Sequence, residues 1–288
     1  MKRSPNVEPA RSVSVKSIKS TAEQSHRASD MVAIAPARAG WIGLGKLTLG
    51  DWRGEAAAIA VMIPMLLAPV LWNGFPIIYY DTGAYVLQGL GGHFIVERSS
   101  VYSLFLRFGG AGASLWLIAL IQSGTTAFAI TELARATFPR LPLGLFLAIG
   151  AALVIGTGLP WYVGQIEPDC FTALVVLALY LLAFHLRDLG RIRAAILVLV
   201  GGFSAAAHPS HLLLAGFLAV LLIAGRVALR FANRASIWPK PRLAEPLLVC
   251  LLGLAFVLAG NFYFTRQVFV TRAGSSFVFA RMLQDGIV

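Results

Sequence analysis

Asp81, in the run Tyr79-Tyr80-Asp81-Thr82-Gly83, is the first residue of this chain whose type and surroundings could do chemistry. Pro76 and Gly83 punctuate a turn able to hold its carboxylate at a water boundary, where it could act catalytically or share a cation. The same run also suits a helix start, because aspartate ahead of Thr-Gly satisfies backbone N–H groups without chemistry. The two roles are compatible. A second pair of carboxylates, Glu167 and Asp169, flanks Pro168 after Trp161-Tyr162-Val163-Gly164-Gln165-Ile166. Proline and acids at a first turn are the ordinary beginning of a helix, where exposed N–H groups and the macrodipole favour negative charge. The functional alternative is a carboxylate that orients a sugar hydroxyl or shares a cation with Asp81. Trp161 and Tyr162 would then offer a stacking surface, and Tyr80 and Tyr85 are further substrate-binding candidates.

His208-Pro209-Ser210-His211 spaces two imidazoles so that they share one face of a helix beginning there. Together with a carboxylate they could bind zinc or manganese, and a divalent cation such as Mg or Mn is the candidate cofactor. A site needs three or four ligands, however, and the run is no recognised zinc signature. Contact with a substrate phosphate or hydroxyl, and plain helix capping, remain open. Arg98, Arg107, Arg266 and Arg272 complete the set. Guanidinium groups can grip a phosphate bidentately, and they also snorkel to lipid headgroups. Arg98 and Arg266 are the candidates for substrate binding.

The elements that must position these residues are dictated by composition. The chain is 58% hydrophobic and 13% charged, with mean hydropathy +0.76. A soluble core of this size cannot hide so much apolar surface, so lipid must be the solvent. Apolar runs at roughly 56–72, 113–133, 142–159, 168–186, 192–207, 210–228 and 246–264 predict an all-α, polytopic bundle of about seven transmembrane helices. The run 192–207 and its successor meet at His208, as two helices with a tight turn or as one broken segment, and Arg187, Arg191 and Arg193 before the pair with Arg226, Arg230 and Arg234 after it favour the two helices. The long loop at about 73–112 alternates polar and apolar residues at helix-like intervals, which predicts interfacial helices with Tyr and Phe at headgroup depth.

Lys and Arg outnumber Asp and Glu by 11. In the seven-helix threading this whole excess falls on one side, because the other balances Arg98, Arg107, Arg266, Arg272 and Arg281 against Asp81, Glu97, Glu167, Asp169 and Asp285. The positive-inside rule makes the basic side cytoplasmic. The basicity is therefore a sign of topology and of attraction to anionic lipid, and implies no nucleic acid partner. Residues 1–54 read as a disordered basic cytoplasmic tail, and residues 55–288 as the membrane domain. The tail has no early apolar core of a signal peptide; its Arg and Ser content suits a mitochondrial transit peptide, but Glu8, Glu23 and Asp30 argue against one. Cys170 and Cys250 fall near opposite faces, too far apart for a disulfide. Within the spans Gln122, Glu132 and His185 are isolated polar residues, the last two near cytoplasmic ends.

This arrangement resembles the GT-C superfamily of integral-membrane glycosyltransferases, the mannosyltransferase and arabinosyltransferase type that take sugars from polyprenyl-phosphate carriers. The likeness covers most of residues 55–288 and lies in topology and loop placement. An essential acidic residue in the long first outer loop is matched by Asp81 in Tyr79-Tyr80-Asp81-Thr82-Gly83. The paired acid of an Asp-x-Asp or Asp-Glu motif and a Trp-Trp-Asp signature are absent. The resemblance implies transfer at the outer face of a membrane, most simply the bacterial inner membrane, in cell-envelope synthesis. It also implies that Asp81 is the general base, Arg98 or Arg266 the partner of the lipid phosphate, and Glu167, Asp169 and His211 the groups orienting the acceptor or a cation. Family members usually have more spans, so the chain reads as an N-terminal portion. The alternatives are a non-catalytic binding or assembly subunit of an envelope polysaccharide system and, third, a transporter.

Overall fold

The computed structural model describes residues 47–231 and 240–287. Most of the tail expected over 1–54 lies outside the described residues. Among the described residues twelve helices follow in order: α1 (Trp52–Leu66), α2 (Ala68–Asn73), α3 (Thr82–Gly91), α4 (Ser100–Phe108), α5 (Leu115–Thr137), α6 (Leu143–Gly156), α7 (Leu159–Gly164), α8 (Cys170–Phe184), α9 (Leu186–Ala207), α10 (Pro209–Phe231), α11 (Ala244–Thr265) and α12 (Gly274–Gln284). Among the described residues the only β pairing is two isolated bridges, Thr48 with Pro142 and Ile77 with Gln165. The chain is an all-helical integral membrane protein: α5, α9, α10 and α11 are each long and apolar enough to cross a membrane.

The other apolar runs are helical but shorter. Helices α6 and α8 have 14 and 15 residues, and the run at 56–72 is divided at Leu67. Proline at position 69 has no N–H to continue the α1 ladder, so the chain breaks at Leu67 (φ −89°, ψ 5°) and restarts as α2. A second break lies inside α9, where Gly190 takes φ 74° and ψ 168°, a conformation an L side chain would strain. The long part of α9 therefore begins at Arg191. At His208 the chain is extended between two helices, and α10 turns straight back along α9, with the His211 N–H donating to the His208 carbonyl at 3.0 Å. Of the two arrangements open in the sequence, the hairpin of two helices is the one formed.

Packing follows small residues and rings. Helix α9 lies against α8 and α11. A Cβ on Gly202 would come within 2.8 Å of Leu252, and one on Gly253 within 2.9 Å of Ala205, so absent side chains let α9 and α11 approach. An aromatic cluster fills the space beneath α3 and α4: Tyr85, Tyr102, Phe105, Phe171 and Phe203, with neighbouring ring centroids 4.9–6.3 Å apart. Of the four long apolar helices α10 is the least covered, leaving Leu213, Phe217 and Val220 exposed as lipid-facing surface.

Polar bonds between elements gather at two opposite ends. At one, the N–H groups of Leu49 and Leu143 bond Leu141 and Leu47, at 3.1 and 3.0 Å, and seat the entry of α1 beside α6. Next to it is a closed ion network. Glu132 accepts from Arg193 at 2.6 Å on one oxygen and from Arg135 at 2.7 and 3.2 Å on the other. Glu55 pairs with Arg193 and lies 3.7 Å from Arg135, while Arg135 also donates to the Asp188 carbonyl at 2.9 Å. Four charges thus neutralise one another where α1, α5 and α9 meet. Glu132 is therefore no isolated polar residue.

At the other end, the Ser99 hydroxyl donates to the Ala206 carbonyl at 2.9 Å, and buried Asn261 joins α4, α11 and the chain beyond. Its oxygen accepts from Ser100 at 2.7 Å, and its amide nitrogen donates to Phe269 and Val270 carbonyls at 2.8 and 3.2 Å. Asn261→Leu strands the buried Ser100 hydroxyl and two part-buried carbonyls and is expected to destabilise the fold by about 2 kcal/mol, measured as a lower Tm in detergent. An unchanged Tm would show that these groups find other partners.

Candidate functional site

The loop ahead of α3 is fixed by its pairing with the loop ahead of α8. The Ile77 N–H donates to Gly164 and the Ile166 N–H to Ile77, both at 3.0 Å. Gln122 anchors this join from inside α5. Its amide nitrogen donates to the carbonyls of Val163 and Gln165 at 3.0 and 2.7 Å, and its oxygen accepts from the Tyr102 hydroxyl at 2.8 Å. Gln122, expected to be isolated, is therefore fully engaged.

Asp81 stands at the start of α3, but its carboxylate makes no capping bond. Thr82 instead ties down the loop ahead of the helix. Its hydroxyl oxygen accepts from the Tyr79 N–H at 2.9 Å and lies 3.1 Å from the Ile166 carbonyl and 3.3 Å from Glu167 Oε1. The Asp81 carboxylate instead pairs with the Arg98 guanidinium, both side chains being partly exposed. Arg98 in turn sits 5.7 Å from the centroid of the buried Tyr85 ring, and its Nε is buried without a partner. Burial first, and then the charge of Glu167, push the Tyr85 phenol above its usual range, so it stays neutral.

Glu167 is buried at 4% exposure, whereas Asp169 is exposed at the start of α8, again without a side-chain capping bond. Burial, and then the negative charges of Asp81 and Asp169, push the Glu167 carboxyl from the ordinary 4.5 up to about 7, against the weaker opposing effects of Thr82 and Arg98. A carboxyl whose folded value exceeds its unfolded value stabilises the fold fully below about 4.5, and that contribution is lost as pH rises through about 7. Stability in detergent is expected to fall across this window by on the order of 3 kcal/mol from this residue alone. Glu167→Gln is expected to flatten the fall; a parallel profile would place the titration elsewhere.

His208 accepts from the Ser210 N–H at 3.3 Å through Nδ1, which also lies 2.7 Å from the Ser210 hydroxyl. Its ring therefore caps α10. Burial holds it below the usual imidazole value, with Asp169, Arg98 and Asp81 close enough to act on it. His211 is buried, with Nδ1 3.0 Å from the Ser204 carbonyl and Nε2 2.6 Å from the Thr172 hydroxyl. The carbonyl requires a hydrogen on Nδ1, so Nε2 accepts from Thr172, and both nitrogens are committed within the fold.

The structure thus brings Asp81, Tyr85, Arg98, Glu167, Asp169 and His208 together from three loops far apart in sequence. Arg266 is not among them: it is exposed, 5.9 Å from the centroid of the Phe262 ring, with no hydrogen bond or ion pair to this group among the described residues. Tyr80 and Trp161 are 90% and 57% exposed, and with Trp72 on α2, Tyr79 ahead of α3 and Tyr162 on α7 they form an exposed aromatic set on and beside the two paired loops. Among the described residues no three His, Cys, Asp or Glu side chains are grouped to hold a metal, Asp81 is taken by Arg98, and His211 has no free nitrogen.

Sequence reading missed Thr82, Asn261 and the α4 serines. Thr82 lies in the motif, but its partners, Ile166 and Glu167, come from a loop more than eighty residues away. Asn261 was detectable as a lone amide in an apolar run, though its partners were not. No family model, curated protein or solved structure matches the chain.

Proposed function

We propose that the protein is a membrane glycosyltransferase that moves a sugar from a polyprenyl-phosphate carrier to an acceptor at the outer face of the membrane. The observation supporting this is the convergence of Asp81, Arg98, Glu167, Asp169 and His208 at the end of the bundle edged by exposed aromatic residues. An aromatic rim belongs at headgroup depth, where a lipid-linked sugar presents its phosphate and anomeric carbon. Seven crossings fit this reading, formed by α1 with α2, α5, α6, α8, α9, α10 and α11. The Glu55 end holds Arg53, Arg140, Arg187, Arg191, Arg230 and Lys240 and faces the cytoplasm of a bacterial inner membrane. Helices α3 and α4 then lie in the outer interface.

The chemistry assigns one role to each charge. Asp81 takes the proton of the acceptor hydroxyl as its oxygen bonds to the anomeric carbon. The C1–O bond to the carrier breaks, and the polyprenyl phosphate leaves with the electron pair. Arg98 neutralises the charge that develops on that phosphate. In the resting protein Asp81 and Arg98 hold each other, so the carrier phosphate competes for the guanidinium and frees the carboxylate to meet the acceptor hydroxyl. Asp169, exposed beside them, orients acceptor hydroxyls. Glu167 and His211 lie deeper and position the loops.

A second reading is a non-catalytic binding or assembly subunit, favoured by the direct Asp81–Arg98 pair, which leaves the Asp81 carboxylate engaged at rest. Purified protein in liposomes with labelled polyprenyl-phosphate sugar separates the two. Release of polyprenyl phosphate that depends on acceptor supports the transferase. Retention of the intact lipid without turnover supports the binding subunit, and vectorial uptake of sugar would overturn both.

A further inference from the structure

At the end opposite Asp81, the break at Gly190 leaves a cavity of about 380 Å³ between the starts of α9 and α11. Its size is within the range of small-molecule sites. Arg187, Arg191, Arg242 and Glu245 line it together with the apolar Leu186, Ala194 and Val198. Among the described residues neither Arg187 nor Arg191 has a carboxylate partner, and Arg242 shares Glu245 at 3.5 Å. The lining therefore carries two more positive than negative charges. Glu245 contributes a second signal. Its Oε1 faces Arg242, but its Oε2 is buried with no hydrogen-bond donor, and a buried carboxylate oxygen left unpaired is costly.

We propose that this cavity binds a membrane glycerophospholipid whose headgroup carries a hydrogen-bond donor beside its phosphate, as phosphatidylglycerol and phosphatidylethanolamine do. The phosphate sits among Arg187, Arg191 and Arg242, where guanidinium forks match its oxygens. The hydroxyl or ammonium group of the head pairs with the partly exposed Glu245 carboxylate. The acyl chains run along the lipid-facing wall of α9 and α11, where Ile192, Leu199, Leu248 and Leu251 are exposed. A basic pocket between crossing helices, with an apolar wall leading from it, is a recognised form of headgroup site. The break at Gly190 makes it possible: a continuous helix would carry its first turn along the axis of α9. This site is independent of the chemistry at Asp81.

Native mass spectrometry of the full-length protein, titrated with phosphatidylglycerol, phosphatidylcholine and glycerol 3-phosphate, tests the assignment. One phosphatidylglycerol is expected to bind per chain, more tightly than phosphatidylcholine, which has the phosphate but no donor. Glycerol 3-phosphate, without acyl chains, is expected to bind far more weakly. Each arginine removed is expected to weaken phosphatidylglycerol about fivefold, so Arg187→Gln with Arg191→Gln weakens it about 25-fold. Glu245→Gln is expected to bring phosphatidylglycerol and phosphatidylcholine towards equal affinity. Arg266→Gln, the same charge change at the other end, serves as the control for folding and non-specific attraction and is expected to change nothing. Equal binding of glycerol 3-phosphate would overturn the lipid in favour of a soluble phosphate. Equal loss in Arg266→Gln, or none in the double variant, would overturn the site.

Discussion

Asp81→Asn is expected to lower sugar transfer by about 10²–10⁴-fold, the usual contribution of a positioned general base, while leaving the protein inserted and folded. The fold should tolerate the change because the Asp81 side chain caps nothing. Asparagine keeps the shape and can still accept from Arg98 through its carbonyl oxygen. What it loses is a partly exposed ion pair, worth up to about 1 kcal/mol, and the ability to take a proton. A purely structural role for Asp81 would show the reverse pattern, a lower Tm with transfer intact. Helical content and Tm in detergent, measured on the same preparation, separate the two.

Glu132→Gln is expected to be the most destabilising conservative change in the protein, by about 3–5 kcal/mol. The substitution alters neither volume nor shape, so the cost is electrostatic. Glu132 accepts three bonds from two guanidinium groups at 3% side-chain exposure, and its loss leaves Arg135 and Arg193 sharing Glu55 alone. A buried charge without its partner is far worse than no charge at all. Combining Glu132→Gln with Arg193→Met is therefore expected to recover part of the lost Tm. A single variant as stable as the parent would show that water, and not Glu132, compensates the two arginines.

The helices and their apolar faces were legible in the sequence because lipid imposes a simple rule: long runs without charge must be helical. Helix lengths were less so. The division at Leu67 is set by Pro69 and the bend in α9 by Gly190, single residues whose effect depends on how neighbouring helices pack. The candidate site was legible as a list of residues in three loops, since charged groups beside apolar runs stand out. Which of them meet was not. Arg98 and Arg266 looked equivalent on paper, but Arg98 lies seventeen residues beyond Asp81 on a loop folded back over α3, whereas Arg266 ends α11 facing outward. The histidine pair invited a metal reading, yet the tight turn at His208 buries His211 against Ser204 and Thr172. Glu55, Glu132, Arg135 and Arg193 were visible as charges near helix ends, but their closure into one network depends on three helices meeting.

The measurement that tests the central claim most directly is release of polyprenyl phosphate from a panel of lipid-linked sugars by the purified, membrane-inserted protein, with Asp81→Asn assayed beside it. The account predicts release coupled to glycosylation of an acceptor by the parent protein, and at least about a hundredfold less from the variant. No release by a well-folded parent protein, or equal release by both, would contradict it.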